Sequence, residues 1–96
     1  MTDLVVAGGT VVTPDGPRAA DLSVAGGRIE RIDRDLPRDG VEVVDASGLL
    51  VLPGVVDVHT HVRLSDAQHP DRFERDLRAA AHGGTTTVLT FNNPGT

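Results

Sequence analysis

Cysteine, lysine, tryptophan and tyrosine are all absent from this sequence of 96 residues. Without cysteine there is no disulfide framework and no thiolate metal site. A metal site in this chain would therefore have to rely on histidine and carboxylate ligands. The nine basic residues are all arginines, so any lysine that the chemistry requires must lie beyond residue 96.

Aromatic residues and positive charge are also scarce. Both aromatic residues are phenylalanine, and the net charge is −5 with a pI near 5.1. The sequence therefore offers neither a base-stacking platform nor a basic face, and we expect no nucleic-acid partner. No apolar run approaches the ~20 residues of a membrane span, and the N-terminus lacks the basic region of a signal peptide. We expect no membrane partner and a cytoplasmic location.

The first half of the chain alternates short apolar runs with glycine and proline turns. Gly26-Gly27 has the spacing of a two-residue hairpin turn. The pattern predicts about five short strands in residues 1–52, arranged as part of a small antiparallel β-sandwich or roll. We predict a structural role for this segment, because it lacks a histidine cluster and paired carboxylates. The predicted strands are 4–7 (ending at Gly8-Gly9 and resuming at 10–13), 20–24, 28–32, 41–45 and 49–52.

The composition changes at Pro53-Gly54. Residues 55–58 are apolar except for Asp57, which predicts a strand buried on both faces, as in a parallel sheet. An apolar stripe and two i, i+4 ion pairs predict a helix over 71–82, which Gly83-Gly84 should end. A second strand is predicted over 85–91. Strand, helix and strand together form a right-handed βαβ unit with parallel strands.

His59 and His61 stand at the end of the strand that opens this unit. Side chains in a strand alternate between faces, so both histidines point the same way, with Cβ atoms roughly 6.6 Å apart. Two imidazoles at this spacing can bind one metal ion at ~2.0–2.1 Å each. The alternative is that they are ordinary surface or core residues. Asp57 shares their face, and we favour a role as acceptor for an imidazole N–H over that of a ligand or a plain strand carboxylate.

Two further polar residues are candidates for substrate binding. Arg63 lies two residues beyond His61, and it is either a loop arginine in a salt bridge or a bidentate partner for a substrate carboxylate. Asn93 follows the second strand, and it either caps a turn before Pro94 or hydrogen-bonds to substrate. Active sites in barrels of β/α units lie at the C-terminal ends of strands, which is where these residues fall. We interpret His69 and His82 as structural or surface residues.

Three stretches together give a resemblance to a known family. They are Asp45–Gly48, Leu52–His61 and Arg78–Thr87, which read DASG, LPGVVDVHTH and RAAAHGGTTT. The sequence resembles the amidohydrolase superfamily, specifically the cyclic amidohydrolases: hydantoinases, dihydropyrimidinases, dihydroorotases and allantoinases. The resemblance spans nearly the whole chain. We expect the chain to be the N-terminal part of a longer protein, and a complete small domain is the alternative.

The resemblance implies a fold class of α/β with β. Residues 1–52 would form the N-terminal part of a small β-sandwich, and residues 53–96 the start of a TIM-like (β/α)8 barrel. His59 and His61 match the family's first-strand metal ligands, and the cofactor would be Zn²⁺, two ions per complete site. The other ligands (a carboxylated lysine, two histidines and an aspartate) belong to later strands.

The implied activity is hydrolysis of a cyclic amide such as a hydantoin, dihydropyrimidine or dihydroorotate ring. The general base would be an aspartate on a late strand, so we expect no catalytic residue within this chain and no activity from it alone. The complete protein would form homo-oligomers and act on a small-molecule substrate. The alternatives are a non-catalytic dihydropyrimidinase-related interaction protein, or an allantoinase within the same family.

Two sets of motifs point to different subgroups of the family. His59-Thr60-His61 and the Gly83–Thr87 stretch look like hydantoinases and dihydropyrimidinases. Arg63 and Asn93 look like the arginine and asparagine with which dihydroorotases bind substrate. The chain departs from dihydroorotases in having Leu-Ser-Asp after Arg63 where Glu-Pro-Gly is usual, and Phe-Asn-Asn at 91–93 where Met-Pro-Asn is expected.

Overall fold

The computed structural model describes residues 1–91 as two compact units, Met1–Pro53 and a second that starts at Gly54. Among the described residues, none of the helices has the length and the apolar composition of a membrane span. The first unit holds strands β1 (Leu4–Thr13), β2 (Gly16–Ala25), β3 (Arg28–Asp33), β4 (Glu42–Asp45) and β5 (Leu50–Val51). The second holds β6 (Val55–Thr60), α1 (Arg72–His82) and β7 (Thr85–Thr90).

The first unit is one five-stranded sheet with the order β3-β2-β1-β4, and β5 also pairs with β1. The predicted hairpin is confirmed, because β2 and β3 pair antiparallel around Gly26-Gly27 and both glycines have positive φ. The purely antiparallel arrangement that we predicted is wrong, because β4 and β5 run parallel to β1. Residues 34–41 return the chain to the level where β1 begins, so β4 starts beside Leu4.

Gly8 and Gly9 lie inside β1 and do not end it, contrary to the sequence prediction. Gly8 has a φ of +78°, and the pairing of β1 with β2 shifts register between Val6 and Gly9. This is a β-bulge, which uses the freedom of glycine to take positive φ. Gly9 also has no room for a side chain, since a Cβ there would lie 2.8 Å from Cγ2 of Val51. The glycine pair therefore bends β1 and lets β5 approach it.

The core of the first unit contains a buried carboxylate that we did not predict. Asp21 is 4% exposed and accepts hydrogen bonds from Gly8 N at 2.8 Å, Leu36 N at 3.0 Å and Arg38 Nη2 at 3.1 Å. Burial raises the pKa of Asp21, but the hydrogen bonds from Gly8, Arg38 and Leu36 outweigh it and leave the pKa lowered. One side chain thus joins the bulge of β1 to the loop after β3. The buried apolar residues of this unit are Val5, Ala7, Val11, Ala20, Leu22, Leu36 and Ala46.

In the second unit, β6 and β7 form a two-stranded parallel sheet joined through α1. The predicted helix is confirmed, and so are its i, i+4 ion pairs: Asp71–Arg75 at 4.0 Å and Glu74–Arg78 at 2.6 Å. The hydroxyl of Ser65 accepts a hydrogen bond from Phe73 N at 3.0 Å and so satisfies a free N–H of the first turn.

The prediction that β6 is buried on both faces is wrong for this structure. Val55, Val56 and Val58 are 54%, 57% and 66% exposed. The physical reason is that one neighbouring strand and one helix cannot cover both faces of a strand. Gly54, immediately before β6, lies against β7 so closely that a Cβ there would be 2.0 Å from Oγ1 of Thr86.

We predict that Asp21→Ala lowers the free energy of unfolding by about 3 kcal/mol, because the buried N–H of Leu36 and the partly buried N–H of Gly8 lose their acceptor. The folded-state pKa of Asp21 is lowered. The stabilisation is therefore present above the ordinary pKa of about 3.9 and disappears as pH falls through the folded-state value. Urea unfolding at neutral and acid pH measures both effects. Asp39→Ala, which removes an exposed carboxylate, is the matched control, and an equal loss in both variants would contradict the prediction.

Candidate metal site at the end of strand β6

The two histidines lie at the carboxyl end of β6, with His61 just beyond its last residue. Their ring centroids are 5.5 Å apart and the ring planes are inclined at 68°. Both residues are exposed, whereas Thr60 between them is half-buried. The strand alternation expected from the sequence therefore brings two imidazoles together on one side of the chain.

Phe91 contacts both histidines and was not identified from the sequence. Its ring stacks on the ring of His59, with centroids 4.5 Å apart and planes inclined at 28°. Its backbone carbonyl contacts Nδ1 of His61, and its backbone N–H donates to the carbonyl of Thr60 at 2.8 Å. The sequence signal was the position of Phe91 directly after β7, which the parallel pairing places beside the residues that follow β6.

The two histidines fit one metal ion as half of its ligand set. With nitrogen–zinc bonds of ~2.0–2.1 Å, each ring centre lies only about 3 Å from the ion, so a separation of 5.5 Å is within reach of a shared ion. Nδ1 of His61 is engaged by Phe91, which leaves Nε2 for a metal. Within residues 1–91 no group of three or more histidine, aspartate and glutamate side chains is placed to hold a metal. Any further ligands must come from elsewhere.

Asp57 lies on β6, and its Oδ1 accepts a hydrogen bond from the backbone N–H of His59 at 3.1 Å. The contact supports the backbone that carries His59. The predicted contact with an imidazole N–H stays a prediction. Asp57 is half-buried, so its carboxylate keeps access to solvent.

Arg63 forms a bidentate ion pair with Asp76 of α1. Its Nε and Nη2 donate to Oδ2 and Oδ1 of Asp76 at 3.0 and 2.8 Å, and its backbone N–H also donates to Oδ2 at 3.1 Å. The hydrogen bonds from Arg63 outweigh desolvation and lower the pKa of Asp76 to about 2. In turn Asp76 raises the pKa of Arg63. Of the two roles considered for Arg63, the structure shows the salt bridge.

The remaining candidates lie away from the histidine pair or outside the described residues. His69 contacts Asp66 and Arg72 in the loop before α1 and at its start. His82 is exposed in the last turn of α1. Both agree with the surface role expected of them. Asn93 lies outside the described residues, so its role stays a prediction.

Known proteins similar to this chain include an allantoinase, hydantoinases and a deacylase. The chain is 46% identical over 87 residues to an allantoinase from Escherichia coli, a match that covers 91% of this chain and 19% of the relative. The structure is similar to the L-hydantoinase (dihydropyrimidinase) from Arthrobacter aurescens, with a TM-score of 0.80 and 35% identity over 95% of this chain and 21% of that one. An N-acyl-D-glutamate deacylase from Bordetella bronchiseptica, complexed with zinc, matches with a TM-score of 0.75 and 36% identity over 95% of this chain and 19% of that one.

These similarities confirm the predicted resemblance. No protein-family model matches the chain. The chain spans about a fifth of the length of the curated relatives that it matches. Over that span the chain is similar to proteins of the cyclic amidohydrolase group of the amidohydrolase superfamily.

We predict that Arg63→Gln raises the pKa of Asp76 from about 2 toward the ordinary value of about 3.9, because its hydrogen bonds are lost. A lowered folded-state pKa stabilises the unit above the ordinary value, and this contribution is lost as pH falls toward 2. Carboxyl ¹³C titration by NMR measures the change. Arg75→Gln, which breaks a different ion pair on the same helix, should leave the Asp76 titration in place; an unshifted midpoint in Arg63→Gln would contradict the assignment.

Proposed function

We propose that this chain forms the N-terminal part of a metal-dependent hydrolase that opens a cyclic amide. The observation that carries the proposal is the pair His59 and His61, brought together at the end of β6 in a chain 46% identical to an allantoinase. Several structural relatives are named as hydantoinases or dihydropyrimidinases. The proposed substrates are therefore small rings of the hydantoin, dihydropyrimidine or dihydroorotate type, and allantoin is the alternative within the family.

The proposed architecture is a small β-sandwich followed by a TIM-like barrel, with the boundary between residues 52 and 53. The parallel pairing of β6 with β7 through α1 supports the barrel, because it is the repeating unit of that fold. The exposed valines of β6 support it as well, since further strands and helices would cover them. A cytoplasmic homo-oligomer acting on a small molecule is part of the same proposal.

His59 and His61 would hold one zinc ion, and a complete site would hold two. The zinc-complexed deacylase among the structural relatives supports this choice. When bound, zinc lowers the pKa of a bound water and polarises a carbonyl. The chain's own contribution is to supply two imidazole nitrogens at the end of one strand, with Asp57 holding the backbone of His59. The general base belongs to a later part of the protein.

Arg63 and Asn93 would orient the substrate. For Arg63 to bind a substrate carboxylate through its Nε and Nη2 atoms, its bidentate pair with Asp76 has to open, because both atoms already donate to that carboxylate. A substrate ring without a carboxylate can bind while this ion pair stays closed. The ion pair therefore opposes binding of a dihydroorotate carboxylate at the Nε–Nη2 edge of Arg63, and it has no such effect on hydantoin- and dihydropyrimidine-type rings.

The rival proposal is a non-catalytic interaction protein related to dihydropyrimidinases. The retained histidine pair argues against it. The discriminating observation is whether the complete protein carries the lysine, the two histidines and the aspartate that the resemblance places on later strands.

We expect the complete protein to hydrolyse at least one of hydantoin, dihydrouracil, dihydroorotate and allantoin. His59→Ala should lower kcat/KM by about 100-fold or more, because it removes a metal ligand. His82→Ala, which changes an exposed histidine of α1, is the matched control. The 96-residue chain alone should show no turnover and only weak zinc binding. Tight stoichiometric zinc binding by the chain alone, abolished by His59→Ala, would contradict the incomplete site.

We also expect Asp76→Asn to raise kcat/KM for dihydroorotate relative to hydantoin, because it releases the guanidinium of Arg63. Arg63→Ala should lower dihydroorotate turnover and leave hydantoin turnover within about threefold. A panel of both rings against both variants separates these outcomes. If dihydroorotate turnover were unchanged in Arg63→Ala, Arg63 would have no part in binding the carboxylate.

A further inference from the structure

Phe91 occupies a position that parallel pairing alone creates. Thr60 of β6 is paired with Thr90 of β7, so the residues that follow, His61 and Phe91, leave the sheet side by side. The backbone N–H of Phe91 extends the pairing by donating to the carbonyl of Thr60 at 2.8 Å. The position of this peptide is therefore fixed by the sheet.

The carbonyl of Phe91 constrains the tautomer of His61. A carbonyl oxygen only accepts hydrogen bonds, so the Nδ1 atom that contacts it must carry the proton. In a neutral imidazole the lone pair then lies on Nε2, which is the arrangement that metal-ligating histidines show when the other nitrogen donates to a carbonyl. Because the acceptor is backbone, this effect does not depend on the side chain at position 91.

The ring of Phe91 constrains His59 in a different way. The two rings are stacked with a centroid separation of 4.5 Å, which restricts rotation of an imidazole that is otherwise exposed. Holding one rotamer before a ligand binds removes part of the ordering cost of binding. Phe73 is the only other phenylalanine, tyrosine or tryptophan in the sequence, so few side chains could stack on an imidazole in this way.

We propose that Phe91 is a positioning residue for the metal site, which rests on the proposed metal-binding role of the two histidines. Its backbone carbonyl selects the Nδ1–H tautomer of His61, and its ring holds the imidazole of His59 in place. A residue at the end of β7 thereby orients the two histidines at the end of β6.

The first test is NMR of the 96-residue chain with ¹⁵N-labelled histidine at about pH 8, where an ordinary imidazole is neutral. We expect the Nδ1–H tautomer at His61, NOEs between the rings of His59 and Phe91, and upfield His59 ring protons. Phe91→Leu should abolish the His59 ring shifts and keep the His61 tautomer, and Phe91→Tyr should keep both. Measurements on the unsubstituted chain alone can overturn the proposal, either by an Nε2–H tautomer at His61 or by the absence of the NOEs.

The second test is calorimetric titration with zinc alone. Phe91→Leu should weaken zinc binding by about tenfold, the lower end of the effect of removing a group that orients a metal ligand. Phe73→Leu, the other aromatic substitution that the chain offers, should leave zinc affinity unchanged. Equal affinities in Phe91→Leu and the unsubstituted chain would overturn the positioning role while leaving hydrolysis by the complete protein untouched. Failure of hydrolysis with the affinity difference present would instead remove only the proposed function.

Discussion

The parallel pairing of β6 with β7 is the constraint on which the candidate site depends. Parallel strands end at the same edge of a sheet, so the pairing of Thr60 with Thr90 brings His61 next to Phe91. The histidine spacing alone gives two side chains on one face and leaves their rotamers and tautomers open. The neighbouring strand supplies the carbonyl and the ring that restrict them. The site is thus a property of two strands rather than of one motif.

The first unit depends on a different kind of interaction, a buried charge. Asp21 is tolerated in the core because three donors reach it, two of which are the backbone N–H groups of Gly8 and Leu36. The bulge at Gly8 turns one of those N–H groups inward. A hydrogen-bonded carboxylate therefore fixes where the loop after β3 returns, and with it the strand β4 that runs parallel to β1.

The sequence predicted local features well because their signals are local. Hairpin glycines, the i, i+4 ion pairs of α1 and the alternation that aligns His59 with His61 each depend on a few neighbouring residues. The direction of β4, the buried role of Asp21 and the contacts of Phe91 were missed. Each requires residues 13 or more positions apart to meet, and a single sequence carries no signal for which distant residues those are.

Within residues 1–91 the second unit leaves apolar side chains exposed and gives the proposed metal site only two histidines. Its strand β6 exposes Val55, Val56 and Val58, and burying such side chains is worth roughly 1.5–3 kcal/mol each. Its histidine pair would supply two of the four ligands that a tetrahedral zinc ion takes. Strands added beside this pair would cover the valines and, at the same edge, bring further side chains toward the histidines. Folding energy and metal coordination would then be gained together, which couples the assembly of the proposed barrel to the assembly of its site.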